Sequence, residues 1–213
     1  MDDSGLSWWA LGIAVAIIAG YELWVWRRLR ADPLRIARSA HSRMRAAWLA
    51  ALSQQPGSEI LAVQTLRNSL MSATIIGSTA ALALMGSIPL AAAGLPLDGS
   101  QAVPVLTARL VLRLLLWGTL FASLVCSAMA MRSYNHAGYA ASMPVGSPER
   151  THYLGLAAAH LGRAGLLYSW SLRCLLFVAP VVAGLVNPIA APFASLVLVA
   201  ALISFDRVPA VEL

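Results

Sequence analysis

The side chains able to do chemistry are few and scattered. Histidines stand at positions 41, 136, 152 and 160. A metal ion needs ligands at short helical spacing, such as two histidines four residues apart. His152 and His160 are eight apart and His41 falls on an apolar helix face, so no metal ligand is expected. His136, beside Asn135, has the chemistry of a proton donor or pH sensor, because imidazole titrates near neutrality; a hydrogen-bonded structural histidine is the other reading. The chain has no nucleophile elbow, no phosphate loop and no H-E-x-x-H motif. Its nine acids are too dispersed to pair for acid–base work. No catalytic residue, cofactor-binding residue or cofactor is therefore assigned, and the expectation is that the protein is not an enzyme.

Three charged or polar constellations remain. Glu22 is the one acid within an apolar run, and an intramembrane carboxylate is a functional candidate by default. Arg27 and Arg28 follow within about 9 Å along a helix axis, which favours charge neutralisation at an interface over proton relay. Arg109 and Arg113 are one turn apart, with Trp117 a further turn on; they suit either snorkelling toward Asp98 or Asp2, or an anionic lipid or partner contact with Trp117 stacking beneath. Finally Gln64 and Asn68, before one apolar run, and Asn135 and His136, after the next, are expected to meet as a polar clasp between two helices.

The elements that would position these residues are membrane helices. The 213 residues are 59% hydrophobic and 11% charged, with a mean hydropathy of +0.73, beyond the usual range for a soluble domain. Runs of about twenty apolar residues cross a bilayer core, and residues 7–26, 69–90 and 110–131 qualify. The last run is too long for one crossing, and Asn187-Pro188 interrupts it, so a hairpin of spans 169–186 and 189–206 is expected, with one long kinked helix as the alternative. The fold class is thus all-α: a polytopic helical membrane protein with about five transmembrane helices, or four, in a single domain over 1–213.

Charge sets the orientation. All fifteen basic residues are Arg, and thirteen of them lie in 27–68, in 132–173 or at Arg207. The positive-inside rule makes segments 27–68 and 132–168 cytoplasmic, with the N-terminus outside and the C-terminus inside, most simply in a bacterial inner membrane. The first run precedes its positive charges, so it reads as an anchor and not a leader. Cys126 and Cys174 fall in the cytoplasmic half, where a structural disulfide is not expected.

Asp32-Pro33 opens a cytoplasmic amphipathic helix. Its apolar side holds Leu34, Ala37, Ala40, His41, Met44, Trp48, Ala51 and Leu52, and its polar, basic side Arg35, Arg38, Ser42, Arg43 and Arg45. Such a helix would lie along the interface, its charges either solvated or meeting anionic headgroups. Ser58 is expected to cap the next helix, and Ser147-Pro148-Glu149 another cytoplasmic helix. On the second span Gln64, Thr65, Asn68, Ser69, Ser72, Thr79, Ala83, Gly86 and Ser87 form one small, polar packing face, with Arg67 opposite.

With "DPL" at 32–34, "VQTLRNSLMSAT" at 63–74 and "RSYNHAGY" at 132–139, the chain resembles the membrane family catalogued as domain of unknown function 599. The resemblance covers nearly the whole chain and implies the membrane fold, but no activity, cofactor or catalytic residue.

The expected function is that of a non-catalytic structural or accessory subunit that packs with itself or with a larger membrane complex. Two other classes stand beside it: a small channel or transporter using the interrupted last segment, and a lipid- or quinone-acting enzyme using His136. Anionic lipid headgroups and other membrane subunits are the expected partners. Nucleic acid is not, since the basic residues follow the membrane boundary.

Overall fold

A computed structural model describes residues 3–31, 37–92 and 106–206. The described residues form seven helices and no strand: α1 (Asp3–Ala31), α2 (Ala37–Leu52), α3 (Glu59–Ala92), α4 (Ala108–Ala141), α5 (Pro148–Leu176), α6 (Val178–Val186) and α7 (Ala190–Asp206). Gly5–Ala31, Glu59–Pro89, Ala108–Ala141 and Pro148–Val186 are long and apolar enough to cross a membrane, and Ala190–Asp206 is a shorter apolar helix. α3 and α4, each 34 residues, are about 51 Å long and outreach a hydrocarbon core of about 30 Å.

The last apolar run is a hairpin, not one kinked helix. α6 ends on Asn187 in extended conformation. Its side-chain Oδ1 accepts from the Ile189 N–H (3.0 Å) and its carbonyl from the Ala190 N–H (2.9 Å), an Asn-built turn that starts α7. A Cβ at Gly184 would lie 3.0 Å from that of Ala191, so glycine permits the close return. α5 and α6 meet at Phe177. Pro180 has no N–H for the carbonyl four residues earlier, and the helix is interrupted there.

α4 is the central helix. α3 packs on one side of it and α5 on another. Three clusters of buried side chains result: one around Leu49, Leu66, Tyr134 and Leu161, one around Leu11, Leu112, Leu120 and Val181, and one around Tyr21, Val25, Leu198 and Leu202. Between α4 and α5 the contact is polar and close. The Ser123 hydroxyl donates to the Ser171 carbonyl and the Ser171 hydroxyl to the Ser123 carbonyl, both at 2.8 Å, with Ser127 Oγ 2.5 Å from Ser171 Oγ. Small hydroxyl residues let the backbones approach and hydrogen-bond without water.

Two packing faces differ from expectation. On α3 the buried residues are Ala62, Leu66, Ala73, Ile76, Gly77 and Ala80, while Gln64, Thr65, Asn68, Ser72, Thr79, Ala83 and Gly86 are exposed. The tight contact uses smallness: a Cβ at Gly77 would come within 3.1 Å of Ser127 Cβ. Most hydroxyls on the outer face turn back on their own helix, as Ser72 does to Asn68 O (3.1 Å) and Thr79 to Ile75 O (2.9 Å).

α2 is the second. Leu52 O lies 3.5 Å from Arg150 Nη2, and Ser42 Oγ would be 3.6 Å from a Cβ at Gly162. Ten residues of α2 therefore match twelve of α5 in the opposite sense, and the helix runs alongside α5. Leu49 and Leu52 are buried and Met44 and His41 exposed, so the inward face is rotated toward Ser42, Arg45 and Leu49. The Asp32-Pro33 start and Arg35 lie outside the described residues, as does the Arg38 side chain.

Loop chemistry closes this end of the bundle. Gly57 and Gly146 adopt φ of 82° and 85°, the left-handed region glycine favours. Ser147 caps α5, its Oγ accepting from Arg150 N–H (3.2 Å). Ser58 donates to Leu52 O (2.7 Å) and ties back the end of α2.

Candidate functional site

The most concentrated chemistry lies where α1, α5 and α7 meet, at residues separated by up to 185 positions in sequence. Arg173 of α5 is buried. Its Nη1 donates to Glu22 Oε1 of α1 at 2.6 Å, and its Nη2 donates to Asp206 Oδ2 of α7. Tyr21 donates its phenolic proton to the same Asp206 oxygen at 2.5 Å, and its ring centroid stands 5.9 Å from the Arg173 guanidinium carbon. Arg is suited to this position because its planar fork presents donors to two carboxylates at once. Glu22 thus takes Arg173 as a partner, and not only the neighbouring Arg27 and Arg28 as the sequence suggested. Arg28 and Arg30 instead lie over the rings of Trp24 and Trp26, at 4.8 and 3.7 Å from their centroids.

Beside this network lies a cleft of about 820 Å³ between α2, α5 and α7, with Leu29 of α1 at its edge. Arg45, His41 and Ser42 of α2 line it, with Arg163, Tyr168 and Ser169 of α5. Leu166, Leu172, Leu176, Leu202 and Phe205 supply its apolar wall. Arg45 reaches this wall through a notch at Gly165, where any Cβ would overlap its guanidinium. Burial pulls the Arg45 guanidinium down from its ordinary value, with Tyr134 opposing, and its Nε is buried without a hydrogen-bond partner among the described residues. The amphipathic pattern had placed Arg45 on the solvated side of α2; it lies on the face that meets α5, where the glycine notch receives its guanidinium.

A second buried guanidinium, Arg150, is structural. It donates to Ala141 O (3.2 Å), Met143 O (2.6 Å), Leu52 O (3.5 Å) and Ser53 Oγ (3.4 Å). These carbonyls end α2 and α4, where cations and extra donors are favourable. Glu59 completes the tie by accepting from Val145 N–H at 2.9 Å.

The residues of the expected clasp are distributed over different sides. Gln64 and Asn68 are exposed on the outer face of α3. Asn135 lines a groove of about 310 Å³ with Arg67, Gly138, Tyr139 and Ser142. His136 faces α5, its ring centroid 5.0 Å from that of His160. Thr74, on the other side of α3 from Ser72, contacts Met131 Sδ of α4 at 3.1 Å. Arg109 is exposed beside a groove of about 230 Å³ lined by Ser7, Leu11 and Gly184, and Arg113 is half-buried. Trp117 donates its indole N–H to Ser87 Oγ of α3 at 3.0 Å. Asp2 and Asp98, the suggested partners of these arginines, lie outside the described residues. Among the basic residues assigned to α2, Arg43 is exposed and Arg45 lines the cleft.

Sequence reasoning counted Arg173 and Arg150 as boundary charges and left Asp206 unassigned. The signal present in the sequence was Asp206 at the end of an apolar run with Arg173 inside another, two groups that each need a partner in a nonpolar setting.

No curated protein and no solved structure matches the chain. The model of the family described as protein of unknown function, DUF599, matches residues 9–211, and the chain belongs to that family.

Proposed function

We propose that the protein is a non-catalytic integral membrane protein of a bacterial inner membrane, N-terminus outside and C-terminus cytoplasmic, acting as a structural or accessory subunit. Its α3 packs against a helix of another subunit, either a second copy or part of a larger complex. The observation that carries this reading is the outer face of α3. The helix packs chiefly on α4 and stands at the edge of the bundle, yet it exposes Asn68, Ser72, Thr79, Ala83 and Gly86 outward. Small and hydroxyl-bearing residues are what membrane helices use to meet one another, and amides gain most from a partner where water is scarce. The excess of Arg in 27–68 and 132–173 supports the orientation.

The test uses protein with Cys126 and Cys174 replaced by Ala and one new cysteine at Ser72 or Ala83. In native membranes an oxidant should link copies, or a copy and a larger partner, at these positions but not at exposed Phe121 on α4. Equal linking at Phe121, or none at Ser72 and Ala83, removes the reading. In the same background, cysteines at Asp3 and Ser100 should react with an impermeant thiol reagent from outside and ones at Ser53 and Ser147 should not; labelling at Ser53 reverses the orientation.

A further inference from the structure

We propose that the cleft between α2, α5 and α7 binds an anionic phospholipid, with the phosphate held between Arg45 and Arg163 and an acyl chain laid along Leu172, Leu176, Leu202 and Phe205. Its volume, about 820 Å³, is in the range of small-molecule sites, about 300 to 1,000 Å³. Its chemistry is graded along α5. From Arg163 to Leu176 is about 20 Å at 1.5 Å per residue, and the wall passes from Arg163, Arg45 and His41 at one end to Leu172, Leu176, Leu202 and Phe205 at the other, where the only charges among the described residues, Arg173 and Asp206, neutralise each other. A ligand matching that gradient has a charged head and an apolar tail.

The sign of the head follows from the charges. Asp206, the one carboxylate on the cleft wall among the described residues, is engaged by Arg173 and Tyr21. Arg45 and Arg163 have no such partner among the ion pairs of the described residues. Arg45 Nε is moreover buried without an acceptor there, an arrangement that a phosphate oxygen would satisfy with a charge-assisted hydrogen bond. Gly165 holds the guanidinium there, since the space a Cβ would fill is occupied by it. None of these residues lies on the outer face of α3, so the site stands or falls apart from the subunit role proposed above.

The experiment is equilibrium binding to the full-length protein in dodecyl maltoside micelles, with dioleoyl phosphatidic acid, dioleoyl phosphatidylcholine and inorganic phosphate as separate probes. Phosphatidic acid should bind saturably and at least about tenfold more tightly than phosphatidylcholine, a difference of about 1.4 kcal/mol. Arg45→Gln and Gly165→Ala should each weaken phosphatidic acid about tenfold, while Arg132→Gln, an exposed arginine of α4 away from the cleft, should change it less than about twofold. Gly165→Ala displaces only the end of a flexible side chain and favours helix, so its melting temperature should be held or raised. Should it unfold instead, Arg45→Gln and Arg163→Gln decide. Equal losses for Arg132→Gln and Arg45→Gln would overturn the site in favour of diffuse surface charge. Displacement of the lipid by inorganic phosphate at equal concentration would overturn the lipid in favour of a free anion.

Discussion

Replacing Arg173 with Met should be among the most damaging single changes in the protein. The side chains of Arg173, Glu22 and Asp206 are 5%, 21% and 14% exposed, so the network is largely withdrawn from solvent. Met conserves much of the aliphatic stem but leaves two carboxylates without the cation that accompanies them. Removing one member of a buried ion pair costs about 3 to 5 kcal/mol, because the remaining charge keeps its desolvation penalty and loses its attraction. The partial exposure of Glu22 admits some water, which places the expectation at the lower end, about 3 kcal/mol. The assay is reversible unfolding in mixed micelles of increasing dodecyl sulfate fraction, followed by far-UV circular dichroism. The decisive comparison is the triple variant Arg173→Met, Glu22→Gln, Asp206→Asn, which removes all three charges and should recover most of the loss. Were Arg173→Met within about 1 kcal/mol of the parent, the network would be no more than an exposed ion pair. Were the triple variant no more stable than the single one, uncompensated carboxylates would not be the cause.

Arg150→Met should cost about 3 kcal/mol and expose the 53–58 and 142–147 loops to protease, because it deprives the ends of α2 and α4 of their donor. Arg150→Lys should not restore protection, since an ammonium cannot reproduce the fork; full protection in the Lys variant would refute this. Ser171→Ala should cost about 1 kcal/mol, the usual worth of an interhelical hydroxyl, whereas Ser171→Leu should cost about 3 kcal/mol by forcing α4 and α5 apart; the reverse order in the same unfolding assay would show that hydrogen bonding and not close packing holds that contact.

The elements were legible and several of their faces were not. The apolar runs located α1, α3, α4 and the hairpin, because spanning a bilayer imposes length and hydropathy directly on sequence. Asn187-Pro188 and Ser147-Pro148 announced a turn and a cap whose chemistry is local. Helix faces are less readable in a membrane, since lipid and protein interior are about equally apolar and a side chain's polarity does not tell which of the two it meets. The polar side of α3 suggested a packing face; size decided instead, through Ala73, Gly77 and Ala80. Arg45 reads as solvated only while the most apolar side of α2 is taken as its inward side; Ser42, Arg45, Leu49 and Leu52 share the face that meets α5, and the notch that admits a guanidinium there belongs to another helix. The Glu22, Arg173 and Asp206 network left no local trace: its members are 151 and 33 residues apart, and only the fold makes them neighbours.

That separation has a consequence for biosynthesis. Glu22 belongs to α1, and its Arg173 partner is made 151 residues later. At about 5 to 20 residues per second, the delay is about 8 to 30 s. α1 must therefore enter the bilayer with its acid near one end and wait, helped by the adjacent Arg27 and Arg28. Asp206 follows 33 residues after Arg173, so the ion network closes only when α7 arrives. A chain stopped before α7 would have Arg173 without its second carboxylate, and it would present to the quality-control machinery of the membrane a charged, incompletely assembled seam that the finished protein conceals.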